Sequence, residues 1–113
     1  MKLPGAEHAI CDAAKVQDYL LSREHPVGRS KARFFASLGF TRAIWPTLQS
    51  ALLKLGRDGD AEVAAASVFG QKYEIRGIIQ GPSGETALLV TVGIILTGET
   101  RRRFVTAHAG NLR

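Results

Sequence analysis

Residues 88–96 read Leu88-Leu89-Val90-Thr91-Val92-Gly93-Ile94-Ile95-Leu96 and are apolar at nearly every position. A short run of this kind, rich in β-branched residues, is typical of a central strand with both faces at least partly covered. The stretch before this run, from Val68 onward, alternates between apolar and polar residues instead. Tyr73, Ile75 and Ile79 point to one side of the strand, and Lys72, Glu74 and Arg76 point to the other. Gly81-Pro82-Ser83-Gly84 separates the two stretches and has the composition of a tight turn.

A third strand follows the central one. Thr97-Gly98-Glu99-Thr100 is a second turn, and the strand after it runs from Arg101 to about His108. Strict alternation in this strand places four residues on one side, namely Arg102, Phe104, Thr106 and His108. Three strands joined by short turns predict an antiparallel meander.

The part of the chain before the strands has helical spacing. Asp12 is suited to cap a helix that extends to about Leu21, and His25-Pro26 ends it because the residue before a proline avoids the helical region. A second helix starts near Gly28 to Ser30 and stops at Gly39. A third has Pro46 in its first turn and is predicted to end at Gly56.

These elements predict an α+β fold, with N-terminal helices packed on one face of a three-stranded antiparallel sheet. With 113 residues, the chain is expected to form a single domain over residues 1–113. Its helical part covers about residues 12–56 and its sheet part about residues 68–108. Residues 57–67, rich in Ala, Asp and Gly, are predicted to be a linker between them.

The composition favours an anionic partner. There are 15 Lys and Arg against 10 Asp and Glu, a net charge of +5, which suits RNA, although a soluble protein can be basic without binding any polyanion. The lone cysteine, Cys11, excludes an internal disulfide. No apolar run reaches the roughly 18 residues of a membrane helix, so we expect a cytoplasmic protein that does not enter membranes.

The segment His25-Pro26-Val27-Gly28-Arg29-Ser30-Lys31-Ala32-Arg33-Phe34-Phe35 combines a histidine, a rigid turn and three cations at a helix start. Helix starts bind anions through their free N–H groups. Gly28 permits a close backbone approach, and Arg29, Lys31 and Arg33 are candidate phosphate ligands. The glycine and lysine spacing is not that of a P-loop. The plainer interpretation is a helix–helix turn with solvated cations.

The sheet carries a second candidate set. If His108 shares a face with Glu74 and Arg76, that face displays the base, acid and cation that metal-free RNA cleavage needs. The alternative is a set of cross-strand ion pairs on a solvated face. The run Arg101-Arg102-Arg103 is either a nucleic-acid contact, together with Lys72 and Arg76, or charge that protects an edge strand.

The chain lacks the spacing of known cofactor and metal motifs. Its three histidines, His8, His25 and His108, and its one cysteine form no zinc pattern, and there is no Gly-rich nucleotide motif. We therefore expect neither a metal nor a cofactor.

The sequence resembles a family of small bacterial domains found alone, in toxin–antitoxin-like gene pairs, and at the ends of phage head or polymorphic-toxin proteins. The matching stretches are Lys2-Leu3-Pro4-Gly5-Ala6, Asp18-Tyr19-Leu20-Leu21, residues 25–35, Gly39-Phe40, Phe69-Gly70-Gln71-Lys72-Tyr73 and Phe104-Val105-Thr106-Ala107. They keep their order along almost the whole chain. Such domains are compared with the barnase-, EndoU-, colicin- and RelE-like ribonuclease fold, which implies helices before an antiparallel sheet and metal-free RNA cleavage.

The resemblance points to particular residues. His25, Lys31, Tyr73 and Thr106 match its polar pattern, so we expect them to form the catalytic site, with His25 as acid or base and Tyr73 and Thr106 positioning the scissile group. Gly28, Arg29, Arg33, Lys72, Arg76 and Arg103 are the expected phosphate or nucleic-acid ligands. The chain departs from the family in having Gly93 where relatives often carry tryptophan and His108 where they often carry tyrosine.

Two functions follow as hypotheses. The first is a small basic domain that binds RNA or phosphate, as a metal-independent ribonuclease of toxin type. The second is a non-catalytic interaction module, such as an immunity or antitoxin-like protein or a phage accessory component. The expected partners are RNA, a cognate antitoxin or other small protein, or a second copy, since a small sheet has exposed edges.

Overall fold

The computed structural model describes residues 11–22, 24, 28–99 and 101–110, with the backbone alone at residues 28 and 29. Within these ranges the helical part has three α-helices, α1 (Ala13–Lys15), α2 (Gly28–Ser37) and α3 (Trp45–Asp58). The first continues as a π-helical turn over Val16–Leu20, and a 3-10 turn at Arg42–Ile44 precedes the third. None of the helices in this part of the chain is long and apolar enough to cross a membrane.

The sheet is an antiparallel meander of four strands in the order β1-β2-β3-β4. Their bounds are β1 (Asp60–Ser67), β2 (Gly70–Gln80), β3 (Thr86–Leu96) and β4 (Arg102–Ala109). The α+β class and the antiparallel meander are confirmed. The expected three-stranded sheet is wrong, because residues predicted as a linker form β1.

The periodicity of the sequence does not reveal β1, and the reason is physical. β1 is an edge strand in which only Ala61 is buried, and its alanines and serine have weak β-propensity. It is held by pairing with β2, in a register that runs from Asp60 opposite Arg76 to Ser67 opposite Gly70. Pairing of this kind depends on the partner strand, so no apolar alternation marks it in the sequence.

The third helix is also longer than expected. It continues through Gly56 to Asp58, and Gly59 follows it, with its N–H bonded to the oxygen of Leu55. The second helix does stop as predicted, at Gly39, whose φ of +93° favours glycine. Gly56 is thus not a helix terminus, and its lack of a side chain has another cause, described below.

The core lies between α3 and one face of the sheet. Leu48, Leu52 and Leu55 of α3 are buried, as are Ile75 and Ile79 of β2. Burial of this apolar face, at about 25 cal/mol per Å², supplies the main stabilising term. We call the sheet face toward α3 the helix face and the opposite one the open face. Lys72, Glu74 and Arg76 alternate onto the open face, as predicted.

A β-bulge changes the alternation within β4. Gly93 lies opposite Phe104, whereas the preceding Val92 lies opposite Thr106, so Val105 is the extra residue. Arg102 and Phe104 therefore lie on the helix face, while Thr106 and His108 follow Val92 and Val90 onto the open face. The predicted placement of these four side chains on one side is wrong, because one extra residue reverses the pleat.

Candidate functional site

The N-terminal helices form hydrogen bonds with the edge strand β4 at two neighbouring residues, Thr106 and Ala107. The Tyr19 hydroxyl lies 3.0 Å from Oγ1 of Thr106, so the π-helical turn contacts β4. At the next residue of β4, the main-chain oxygen of Ala107 accepts a hydrogen bond of 2.7 Å from Lys31 Nζ. These bonds bring the first turn of α2 against the end of β4.

A cleft of about 200 Å³ lies at this junction, and we call it the α2–β4 cleft. Its polar lining consists of Ser30, Lys31 and His108, and Phe34 and Phe35 form its apolar base. The half-buried Lys31 supplies a fixed positive charge, and the N-terminus of α2 adds the positive end of a ten-residue helix. The cleft therefore has the electrostatic character of an anion site.

His108 is the exposed member of this lining. Its Nδ1 lies 3.2 Å from the oxygen of Ala109, which leaves Nε2 as the nitrogen directed away from its own strand. An imidazole is a side chain that can both accept and donate a proton in catalysis. The sequence leaves the participation of His108 open, and in the structure His108 lines the same cleft as Lys31.

The expected catalytic residues are not all brought together. Lys31 and Thr106 both contact the same end of β4. Tyr73 is half-buried on the helix face of β2, opposite Gly93, and packs against the core. A strand separates it from β4, which corresponds to roughly 10 Å between backbones, and it projects from the opposite face to Thr106. His25 lies outside the described residues.

The expected phosphate ligands are spread over two surfaces. Gly28 and Arg29 are the first residues of α2, and Arg33 is exposed on that helix outside the α2–β4 cleft. On the open face, Lys72 and Arg103 lie on either side of Ile94. Arg103 is paired with Glu99, at 3.1 Å, so its charge is partly neutralised.

The second candidate set lies on the open face, as the sequence suggested. Arg76 and His108 lie on either side of Val90 in the register, and Glu74 is opposite Val92 in the next row. Arg76 and His108 are two strands apart, at roughly 10 Å between backbones. The three residue types therefore share a face, but within the described part of the chain no hydrogen bond or salt bridge joins them.

Sequence reasoning missed two features of this region. The first helix gave Tyr19 no polar role, although a tyrosine hydroxyl that packs against a core needs a polar partner, and Thr106 provides one. Arg102 was expected to be exposed with its neighbours, but it is fully buried. Only Arg101 and Arg103 of that run reach the surface. Among the residues with described positions, no group of three or more His, Cys, Asp or Glu is arranged to hold a metal ion.

Helices followed by a four-stranded antiparallel meander define the class of small α+β domains to which this chain belongs. Its sequence matches, over residues 2–111, the family described as domain of unknown function (DUF6883), and the chain belongs to that family. A comparison with curated protein sequences gives no significant match.

Among solved structures, the fold is similar to that of a chain in a contact-dependent growth inhibition toxin–immunity protein complex from Klebsiella pneumoniae 342. The TM-score is 0.71, and the similarity covers 96% of this chain and 98% of that chain. The sequence identity of 16% is low, so the similarity establishes the fold alone.

Proposed function

We propose that this chain is a toxin-type domain that binds RNA at the α2–β4 cleft and cleaves it without a metal. The observation that carries the proposal is the position of Lys31 and His108 in one cleft at the N-terminus of α2. A fixed cation, an adjacent helix N-terminus and an exposed imidazole are the groups that bind a phosphodiester and move a proton beside it. The net charge of +5 supports the same substrate class.

In the proposed reaction, the ribose 2′-oxygen attacks the adjacent phosphorus, and the bond from phosphorus to the 5′-oxygen breaks. An imidazole accepts the 2′-hydroxyl proton, and a second acid gives a proton to the leaving 5′-oxygen, which yields a 2′,3′-cyclic phosphate and a 5′-hydroxyl. Lys31 stabilises the negative charge that develops on the non-bridging oxygens. We assign one proton-transfer role to His108, which lines the cleft, and the other to His25, which matches the family pattern.

Thr106 and Tyr19 take the positioning role in this proposal. Their hydroxyls share a hydrogen bond of 3.0 Å, and Thr106 directly precedes the residue whose oxygen binds Lys31. This arrangement fixes the strand end that carries His108. We omit Tyr73 from the proposed site, because it lies two strands away on the other face of the sheet.

The proposal is tested by incubating the purified chain with RNA in the presence of EDTA and analysing the fragments by mass spectrometry. We expect fragments that end in 2′,3′-cyclic phosphate, and a fall in rate of about 10²-fold or more in His108→Ala and in His25→Ala. Lys31→Met should fall similarly, whereas Lys54→Met, an exposed lysine on α3, should cleave normally. Intact RNA, or full cleavage by the three site variants, would contradict the proposal.

A second function is supported by a different observation. The turn between β1 and β2 exposes Val68 and Phe69, the latter at 73%. Thr97 holds this turn through two hydrogen bonds. Its N–H donates to the main-chain oxygen of Phe69, and its hydroxyl donates to that of Val68. A fixed, exposed aromatic residue is typical of a protein–protein contact. We propose a protein-interaction module, of immunity or antitoxin type, as the alternative.

Growth on induced expression in bacteria separates the two functions. A toxin-type ribonuclease arrests growth, and His108→Ala relieves the arrest. An interaction module leaves growth unchanged, and Phe69→Ser then weakens its complex with the product of a neighbouring gene while leaving the unfolding temperature of the isolated chain unchanged. An arrest that Phe69→Ser relieves and His108→Ala does not would contradict the nuclease assignment.

A further inference from the structure

Arg102 is a buried cation that has no partner within the described part of the chain. Its side chain is 0% exposed, and it is the largest fully buried side chain there. Its Nε, Nη1 and Nη2 atoms make no hydrogen bond to any described residue. A guanidinium has five N–H donors and keeps its charge at any pH that proteins tolerate. Because burial of an uncompensated charge is strongly unfavourable, this group requires an acceptor in the folded protein.

Two glycines provide the space that the side chain occupies. A Cβ atom on Gly93 of β3 would lie 2.9 Å from Cγ of Arg102, and one on Gly56 of α3 would lie 2.5 Å from its Nη2. Gly56 is inside a helix and Gly93 inside a strand, positions where glycine weakens the element. The two together form a cradle that any side chain would fill, which accounts for both glycines and for the burial of Arg102.

The surrounding charges do not balance the guanidinium. Burial lowers the pKa of Arg102, and among the described residues Cys11 is the group that opposes this effect. Burial also raises the pKa of the Cys11 thiol to about 11, so that thiol is neutral at physiological pH and supplies no negative charge. The salt bridges of the described residues involve other arginines, Arg42 with Asp18 and Arg103 with Glu99.

We propose that the Arg102 guanidinium, whose side chain fills the cradle of Gly56 and Gly93, binds a small anion from solvent, of the size of chloride or formate. The fork of N–H groups suits an anion that accepts two hydrogen bonds. Full enclosure of the group excludes a polyanion such as RNA, so this site is distinct from the α2–β4 cleft. The anion is a structural ligand that stabilises the packing of β4 against α3, and the inference does not rest on the proposed nuclease activity.

The test measures thermal unfolding of the full chain in buffers where chloride or formate replaces gluconate at constant ionic strength. Gluconate is too large for the enclosed site and serves as the reference anion. We expect the Tm of the wild type to rise saturably, by about 4 °C or more, because a ligand that binds only the folded state stabilises it. The rise should be absent in Arg102→Met and retained in Lys31→Met.

A direct measurement covers the case in which Arg102→Met does not fold. The Nε–H resonance of Arg102, identified by its loss in Arg102→Lys, should shift with chloride or formate concentration in the wild type along the same saturation curve. The proposal would be overturned if neither the Tm nor the Nε–H resonance changed with the concentration of chloride or formate.

Discussion

The ammonium of Lys31 donates a hydrogen bond of 2.7 Å to the main-chain oxygen of Ala107, although the two residues are 76 positions apart in the chain. The bond joins the first turn of α2 to the last residues of β4. Because β4 is an edge strand, its outward main-chain groups have no strand to pair with, and Lys31 satisfies one of them. The position of the α2–β4 cleft depends on this contact.

Lys31→Met should destabilise the fold by about 1–3 kcal/mol, since a partly buried bond from a charged donor is lost. Urea unfolding measures this value. Lys54→Met is the matched control, because Lys54 is exposed on α3, and it should change stability by less than about 0.5 kcal/mol. Equal stability of the two variants would show that the Lys31 bond contributes nothing.

Tyr19 and Thr106 should be energetically coupled. Tyr19→Phe and Thr106→Val each remove one partner of their 3.0 Å hydrogen bond, and the double variant removes both. We expect a coupling energy of about 0.5–1.5 kcal/mol from the double-mutant cycle, measured by chemical unfolding. Strictly additive effects would mean that the two hydroxyls act independently.

Gly56→Ala should have opposite effects in two backgrounds. In the wild type, the new Cβ lies 2.5 Å from Nη2 of Arg102, so we expect a loss of about 1–3 kcal/mol. In Arg102→Ala the obstruction is absent, and alanine should then add about 0.5–1 kcal/mol through its better helix propensity. Unfolding of the four proteins checks the sign change. The same sign in both backgrounds is incompatible with a guanidinium packed against Gly56.

Cys11 should make stability depend on pH in the alkaline range. Burial raises its pKa from 9.0 to about 11, so the neutral thiol is favoured by folding. The corresponding stabilisation is fully present below about pH 9 and is lost as the pH rises through about 11, and the total loss is about 2–3 kcal/mol. The difference in Tm between wild type and Cys11→Ala, followed from pH 8 to pH 11, should therefore shrink. A constant difference would show that the thiol does not titrate with folding.

Local periodicity was enough to predict most of the elements. The apolar run at 88–96 forms all of β3 except its first two residues, and the alternating stretch before it is β2. Gly39 follows the end of α2, as its conformational freedom suggested. In these segments the side chains themselves favour the observed backbone. β1 differs because its order comes from pairing with β2, and its small residues carry no signal of that pairing.

The candidate site was likewise predictable from the sequence only in part. The sequence alone determined an α+β chain of net charge +5 that places Lys31 at the start of a helix, because these properties follow from composition and local spacing. Only the tertiary structure decided that Lys31 and His108 line one cleft, that Tyr73 lies elsewhere, and that Arg102 is buried rather than exposed. A single extra residue in β4, Val105, sets which side chains of that strand face the core. Strand register depends on contacts between distant segments, and therefore no local pattern in the sequence specifies it.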